Sequence, residues 1–324
     1  MFTFTITKII YYSKKNRNEK DTIYCISVGF NNDFCSGNRC REGFKNTKHR
    51  YIRGLEKWRG CSINFSQLSL SNWAAGGLNS INVNSFFSYY ANYTKGDISW
   101  DNSFDLGFGI VRQGDDQAPW VKSDDKLDFT SKFGKKASDK LYYAGLLNFR
   151  TQFVEGYETP ARANLISNFL APGYLLTALG VDYKPSDKLS LFIAPVTHKS
   201  TIVMDEFLSD AGAFGVDMGS TMRSEFGGYL RVQFKSDIAK NINYTTRLDL
   251  FSNYMNNPEN IDVNWENILT MKVNEFISAN FMTHMIYDDD IKVAVDRDGD
   301  GITEGTGTRL QFKQLFGAGF SYKF

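Results

Sequence analysis

The chain has 324 residues, of which 42% are hydrophobic and 15% aromatic, with a mean hydropathy of −0.35 and a formal net charge of +1. This low and evenly spread hydrophobicity excludes a bundle of membrane helices, because the longest apolar runs are only a few residues. The aromatic content, with 17 Tyr, 27 Phe and 5 Trp, excludes a disordered chain.

The first 60 residues differ from the rest in charge, since they carry 13 Lys and Arg but only five acidic residues. All four cysteines lie in or next to this segment: Cys25, Cys35, Cys40 and Cys61. Their spacing fits no zinc signature, and both a disulfide pair and free thiols remain open. We predict a basic, poorly ordered leader over residues 1–57 and a folded domain over 58–324. No signal peptide is recognisable, because Thr and Lys8 interrupt the apolar start MFTFTITKIIYY.

From about residue 58, apolar and polar residues alternate, which is the period of a β-strand. In DISWDNSFDLGFGI, residues such as Ile98, Trp100 and Phe104 form one face, and only Asn102 breaks the pattern. The same alternation predicts twelve strands, at residues 61–70, 79–93, 97–111, 126–134, 140–154, 173–183, 188–198, 224–235, 241–254, 261–274, 277–287 and 309–324. The strand at 188–198 is the least regular, because Pro195 lies inside it.

The connections between these strands alternate in length. Tight polar turns are predicted near residues 94, 135, 184, 236 and 274, and longer loops at 112–125, 155–172, 199–223, 255–260 and 288–308, with the short NWAAGG at 72–77 as the exception. This alternation predicts an all-β fold, a transmembrane antiparallel up-and-down β-barrel of about twelve strands in a bacterial outer membrane. The tight turns would then be periplasmic. A soluble sandwich or lipocalin-like barrel is the alternative, and strand length and aromatic residues near strand ends favour the membrane.

The C-terminal segment has apolar residues at even positions from Leu310 and ends on Phe324. Such an ending resembles the signal that the outer-membrane insertion machinery reads. We therefore predict outer-membrane lipid and this machinery, through Phe324, as partners.

Seven segments, in chain order, carry a family resemblance: INFSQLSLSNWAAGG (63–77), WDNSFDLGFG (100–109), NFRTQF (148–153), FLAPGY (169–174), RLDLFSNY (247–254), HMIYDDD (284–290) and LQFKQLFGAGFSYKF (310–324). Together they resemble an uncharacterised family of outer-membrane β-barrels of Bacteroidota, a domain of unknown function. The resemblance covers residues 58–324 and implies the barrel and the outer membrane, but no activity and no functional residues. Cys61 departs from the family pattern, in which a second Gly is expected after Trp58.

If the apolar faces point to lipid, charged residues of opposite parity point into the lumen. They are Asp101, Asp105, Arg150, Asp182, Glu225, Arg231, Lys235, Arg247, Asp249, Glu266, Lys272, His284 and Lys313. Both signs are present, and a barrel of about twelve strands is narrower than a porin of 16 to 18 strands. We predict a lumen charge network that either fills the barrel or lines a selective conduit.

The segment DRDGDGITE has the oxygen-ligand spacing of a calcium loop. The predicted ligands are Asp296, Asp298, Asp300, the carbonyl of Ile302 and Glu304. Position 12 is Gly307, so the bidentate Glu of an EF-hand is missing. A solvated acidic turn is the alternative reading.

Signatures of catalysis are weak in this sequence. It has no GxSxG, HExxH, P-loop or dinucleotide fingerprint in a suitable context, and His284 and Asp288 would lie about 13 Å apart along one strand. We predict a channel or transporter for a small solute, neither an enzyme nor a nucleic-acid-binding protein. The alternative is a structural or surface-binding barrel with a filled lumen and loops that bind calcium or a partner, and an outer-membrane hydrolase is the third reading.

Overall fold

The structure, a computed structural model, describes residues 55–69, 78–114, 117–157, 164–291, 293–295 and 305–323. Twelve antiparallel strands form a closed barrel in which each strand pairs with its neighbours in the chain and the first pairs with the last. The strands are β1 (Leu55–Leu68), β2 (Ser80–Lys95), β3 (Ile98–Gln113), β4 (Val121–Ser138), β5 (Leu141–Thr151), β6 (Gly173–Ser186), β7 (Leu189–Ile202), β8 (Met222–Ala239), β9 (Ile242–Asn253), β10 (Ile261–Lys272), β11 (Ile277–Tyr287) and β12 (Gln311–Lys323). The predicted twelve-stranded antiparallel barrel is confirmed.

Short and long connections alternate around the barrel. At one end, tight turns occupy residues 96–97, 139–140, 187–188, 240–241 and 273–276; at the other end, longer loops occupy 114–120, 152–172, 203–221, 254–260 and 288–310. The tight turns need few residues because antiparallel neighbours can be joined by two-residue hairpins. We call the two ends of the barrel the short-turn end and the long-loop end.

Several strands are longer than the sequence pattern predicts. β1 begins at Leu55 instead of residue 61, and β4 runs from Val121 to Ser138 instead of 126–134. β7 continues to Ile202, beyond the predicted residue 198, although it contains Pro195. The register shifts here, so that Ala194 pairs with Tyr229 and Thr197 with Gly227. A β-bulge of this kind tolerates Pro195 because a bulged residue need not donate a ladder hydrogen bond.

The two faces of the wall differ in polarity. Outward-facing apolar side chains are exposed, as at Leu179 (65%) and Phe316 (63%), whereas inward-facing charged side chains are buried, as at Asp182 (1%) and Arg231 (2%). A soluble globular protein has the opposite arrangement, with buried apolar and exposed charged residues. The period-two pattern of the sequence therefore places its apolar face outside the barrel.

Part of the inner wall is nevertheless apolar. A cluster of buried residues from β5 to β9 contains Ala144, Leu146, Leu176, Ala178, Phe192, Ala194, Tyr229 and Phe251. Phe192 and Tyr229 pack edge to face with ring centroids 6.3 Å apart, a favourable geometry for aromatic pairs. Charged residues of the same strands, such as Asp182, Arg231 and Asp249, lie next to this cluster in the interior.

Two loops at the long-loop end pack against each other. Ala171, Val203, Leu208 and Val216 form a buried apolar cluster beside the short helix α1 (Glu206–Asp210). Asp205 caps this helix, accepting a hydrogen bond from Leu208 N at 3.2 Å, and also accepts one from Asn168 Nδ2 at 3.1 Å. Two short hairpins, Gly156–Tyr157 with Leu165–Ser167 and Val293–Val295 with Gly305–Gly307, complete the described loops. No helix in the described part of the chain has the length and apolar character to cross a membrane.

Candidate functional site: the lumen charge network

The interior of the barrel contains charged side chains at three heights. We call the whole set the lumen charge network and describe it from the short-turn end to the long-loop end. At the short-turn end, Lys132 on β4 pairs with Asp182 on β6 at 2.7 Å, and Lys184 pairs with Asp101 on β3 at 2.7 Å. Ser190 donates to Asp182 at 2.6 Å. The two ion pairs connect strands that are not neighbours, so they brace the wall from inside.

At mid-height, two ion pairs cross the lumen. Lys126 Nζ on β4 lies 2.6 Å from Glu266 Oε1 on β10, and five strands separate these two strands in either direction around the wall. Arg247 Nη2 on β9 lies 2.9 Å from Asp128 Oδ2 on β4 and 3.1 Å from Glu266 Oε2. The side chains of Asp128 and Glu266 are 1% and 12% exposed. The interior is therefore spanned by buried charges at this height.

Arg231 and Asp249 form a second buried pair beside this crossing. Arg231 Nε lies 2.6 Å from Asp249 Oδ1, and the two residues face each other in the β8–β9 register. Tyr229 OH donates to the same carboxylate oxygen at 2.7 Å, and Arg247 Nε lies 3.6 Å from Asp249 Oδ2. Asp249 thus receives two guanidinium groups and a phenol, which compensates for its burial.

Arg150 contacts an amide instead of a carboxylate. With the Asn264 amide oriented to satisfy both neighbours, its oxygen accepts from Arg150 Nη2 at 3.2 Å and its nitrogen donates to His284 Nε2 at 3.0 Å. His284 Nε2 also lies 3.8 Å from Glu266 Oε1. Arg150, Asn264 and His284 therefore extend the mid-height cluster from β5 to β11.

At the long-loop end, two cations sit among several carboxylates. Lys199 lies 2.7 Å from Asp262, 3.3 Å from Asp288 and 3.4 Å from Glu225. Arg223 pairs with Glu225 at 2.6 Å and also with Asp290. The interior at the long-loop end is consequently acidic, and each of its two cations contacts more than one carboxylate.

The remaining predicted lumen residues make none of the ion pairs described above, although Asp105 lies opposite Asp128 in the β3–β4 register. Lys313 pairs with Asp124 at 2.5 Å, and Asp105 accepts from Ser88 Oγ at 2.6 Å. Lys235 approaches the rings of Tyr90 and Trp58, 5.3 Å and 5.8 Å from their centroids. Lys272 is exposed at the short-turn end.

Several members of the network were missed in the sequence, chiefly those on β4. They are Lys122, Asp124, Lys126, Asp128, Lys132, Lys184, Lys199, Arg223 and Asp262. The even positions of β4 are charged or polar from Lys122 to Lys132. That alternation was the available signal, but Ser123, Asp125 and Ser131 interrupt the apolar face at odd positions and obscure it.

Some predicted sites fall outside the described residues. These are the calcium motif with Asp296, Asp298, Asp300, Ile302 and Glu304, the terminal Phe324, and Cys25, Cys35 and Cys40. Cys61, on β1, is exposed and forms no disulfide with a described residue. Within the described ranges, no group of three or more His, Cys, Asp or Glu side chains is arranged to hold a metal ion. Calcium binding at residues 296–304 stays a prediction.

Residues 65–157 match a family described as a protein of unknown function (DUF3078), and no curated protein matches the chain. Among solved structures, the NanC porin is 9% identical, with a TM-score of 0.38 over 81% of this chain and 98% of that one. An outer membrane channel from Pseudomonas putida F1 is 9% identical, with a TM-score of 0.37 over 87% and 100%. The translocator domain of autotransporter NalP from Neisseria meningitidis is 8% identical, with a TM-score of 0.33 over 85% and 90%.

Proposed function

We propose that this protein is an outer-membrane β-barrel that conducts a small polar solute through a lumen narrowed at mid-height. The observation that carries the proposal is the inverted polarity of the wall. Large apolar side chains are exposed on the outside of most strands, while Arg231, Asp128 and Asp182 are almost fully buried inside. Lipid favours such an apolar outer face, and a polar interior is typical of a transmembrane barrel.

The dimensions of the strands support a membrane-spanning wall. The barrel strands are 11 to 18 residues long, whereas a tilted transmembrane strand needs about 9 to 11. Closure gives every strand a paired neighbour on both sides, as a lipid environment requires. The short-turn end would then face the periplasm and the long-loop end the exterior.

The cross-lumen ion pairs define how wide the conduit is. Lys126–Glu266 and Arg247–Asp128 connect strands on nearly opposite sides of the barrel. A twelve-stranded barrel is already narrower than an open porin of 16 to 18 strands. We therefore expect a narrow, selective conduit in which the mid-height ion pairs form the constriction.

Single-channel conductance of the full chain, refolded and inserted in a planar bilayer, tests this proposal. We expect a small, steady current in the wild type and a larger one in Lys126→Ser/Glu266→Ser, which removes both partners of one crossing and leaves Arg247 paired with Asp128. The matched control is Lys136→Ser/Asp139→Ser, which removes an exposed pair (3.0 Å) beside a short turn. A correctly folded wild-type barrel that passes no current, alone or with the crossing removed, overturns the proposal.

A second candidate function is a structural barrel with a filled lumen and binding loops. The packing of loops 164–172 and 203–221 around Leu208 and Val216 favours it, because it gives the long-loop end an ordered surface. The predicted calcium motif would add to that surface. The absence of current, together with calcium-dependent stabilisation of the folded protein, would support this second function.

A further inference from the structure

Three arginines in the lumen have buried N–H groups with no acceptor. They are Arg150 Nε, Arg231 Nη1 and Arg247 Nε, and no hydrogen-bond partner for them lies among the described residues. Buried polar atoms are nearly always hydrogen-bonded, so each exception calls for a physical cause. Arg247 Nε has a carboxylate oxygen of Asp249 at 3.6 Å, beyond hydrogen-bond distance, whereas Arg150 Nε and Arg231 Nη1 indicate an acceptor that the described residues do not supply.

The three guanidinium groups belong to one cluster. Arg231 and Arg247 both contact the carboxylate of Asp249, at 2.6 Å and 3.6 Å. Asn264 faces Asp249 in the β9–β10 register, and its amide accepts from Arg150. Asp249 and Asn264 therefore connect the three groups, which we call the arginine cluster (Arg150, Arg231 and Arg247).

Arg150 lies opposite the carboxylate of Asp128 in the β4–β5 register but has no direct ion pair of its own among the described residues. Its guanidinium makes no ion pair with a carboxylate in the described part of the chain. Asp128, its register neighbour on β4, is paired with Arg247 instead. Asp105 lies one strand further and accepts from Ser88. A buried guanidinium is stabilised by direct hydrogen bonds to an anion, and Arg150 Nε has none among the described residues, so this position favours an additional anionic acceptor.

We infer that the arginine cluster binds a small oxyanion, of the carboxylate or phosphate class, inside the lumen. A guanidinium presents planar N–H donors that match the geometry of an oxyanion. The apolar inner wall beside the cluster, with Tyr229 stacked 5.6 Å from the Arg231 guanidinium, excludes water from one side and strengthens these hydrogen bonds. That the bound oxyanion is also the solute that passes through the conduit rests on the proposed function. The existence of the binding site does not depend on it.

Isothermal titration calorimetry of the refolded full chain in detergent, with inorganic phosphate and separately with acetate, tests the site. We expect saturable binding of at least one anion to the wild type. In Arg150→Gln the affinity should fall by about tenfold or more, because a hydrogen bond to a charged group is lost. The control Lys272→Gln makes the same charge change at the exposed short-turn end and should bind like the wild type. Equal binding by the Arg150→Gln variant, or no binding by the folded wild type, overturns the inference.

A conservative variant and a second measurement separate the possible outcomes. Arg150→Lys keeps the charge but loses the planar donors, so we expect it to bind the anion more weakly than the wild type does. This variant tests the site even if Arg150→Gln does not fold. Equal anion binding by Arg150→Lys and the wild type overturns the inference. Anion binding without conductance would overturn the proposal that the barrel is a conduit and would support the anion-binding site. Conductance without binding of either anion would support the conduit and overturn the site.

Discussion

Arg247 on β9 and Asp128 on β4 form an ion pair, with 2.9 Å between Nη2 and Oδ2, although four strands separate them on the shorter path around the wall. The same guanidinium also contacts Glu266 at 3.1 Å, and Glu266 receives Lys126 from the opposite side. The centre of the barrel is thus crossed by side chains that depend on each other for their charge balance.

Removing one member of this crossing should destabilise the barrel strongly. Asp128→Asn leaves Arg247 with a buried charge that has lost a partner, and we expect the free energy of unfolding to fall by about 3 to 5 kcal/mol. Urea unfolding followed by tryptophan fluorescence measures it. Asp139→Asn, which removes a 96% exposed carboxylate from its pair with Lys136, should leave the midpoint unchanged. Equal effects of the two changes would contradict the assignment of the crossing as a buried network.

A charged side chain on the outer wall should destabilise the barrel in a bilayer. Leu179 is 65% exposed near the middle of β6, so Leu179→Arg would place a guanidinium against the hydrocarbon and cost about 2 to 4 kcal/mol. Met255, 80% exposed in the loop before β10, is the matched control, because its replacement by Arg stays in water. Unfolding in phospholipid vesicles compares the two. A wall exposed to water would tolerate both changes equally.

The contact between β6 and β7 requires a glycine. A Cβ on Gly180 would lie 2.0 Å from the carbonyl oxygen of Ile193, next to the register shift on these strands. Gly180→Ala should therefore force the two strands apart and cost about 1 to 3 kcal/mol. At Gly305 an added Cβ meets nothing within 4 Å, and Gly305→Ala should have little effect. Heat-modifiability on gel electrophoresis and urea midpoints provide the comparison, and a stable Gly180→Ala barrel would contradict this packing.

A polar group on the outer wall has its own hydrogen bonds. Asn102, which interrupts the apolar face of β3, accepts from Ser131 Oγ at 2.8 Å, and Ser131 accepts from Trp100 Nε1 at 2.9 Å. Ser131→Ala leaves both partners unsatisfied and should lower the free energy of unfolding by about 1 to 3 kcal/mol, with a shift in Trp100 emission. Ser131→Thr keeps the hydroxyl and serves as the control. If alanine and threonine give the same stability, these hydrogen bonds do not support the wall.

The architecture was predictable because its physical cause is local. A strand that faces lipid on one side and polar atoms on the other must alternate in sequence, and the alternation of turns and loops followed from the same segments. β5 to β7 are less regular, since Leu146, Leu176 and Phe192 face inward and join the buried apolar cluster. Both faces of these strands are therefore partly apolar, which blurred the strand limits.

The partners of the lumen charges could not be predicted from parity. Parity predicts that Arg247 faces the interior, but its contact with Asp128 depends on the diameter of the ring and on the length of the arginine side chain. The missing carboxylate at Arg150 is also invisible in the sequence, where acids and bases are nearly equal in number. Only the closed ring shows which charges meet.

Closure of the barrel also makes its assembly an all-or-none problem. Eleven of the twelve pairings join strands that follow each other in the chain, and the twelfth joins β1 to β12 over six residue pairs, from Gly60 with Lys323 to Phe65 with Ala318. Until β12 is in place, β1 and β11 both present open edges that cannot be left in lipid. The strands therefore cannot enter the membrane one after another as separately stable units. The unpaired backbone groups of β1 and β12 must be kept from lipid until the two strands pair.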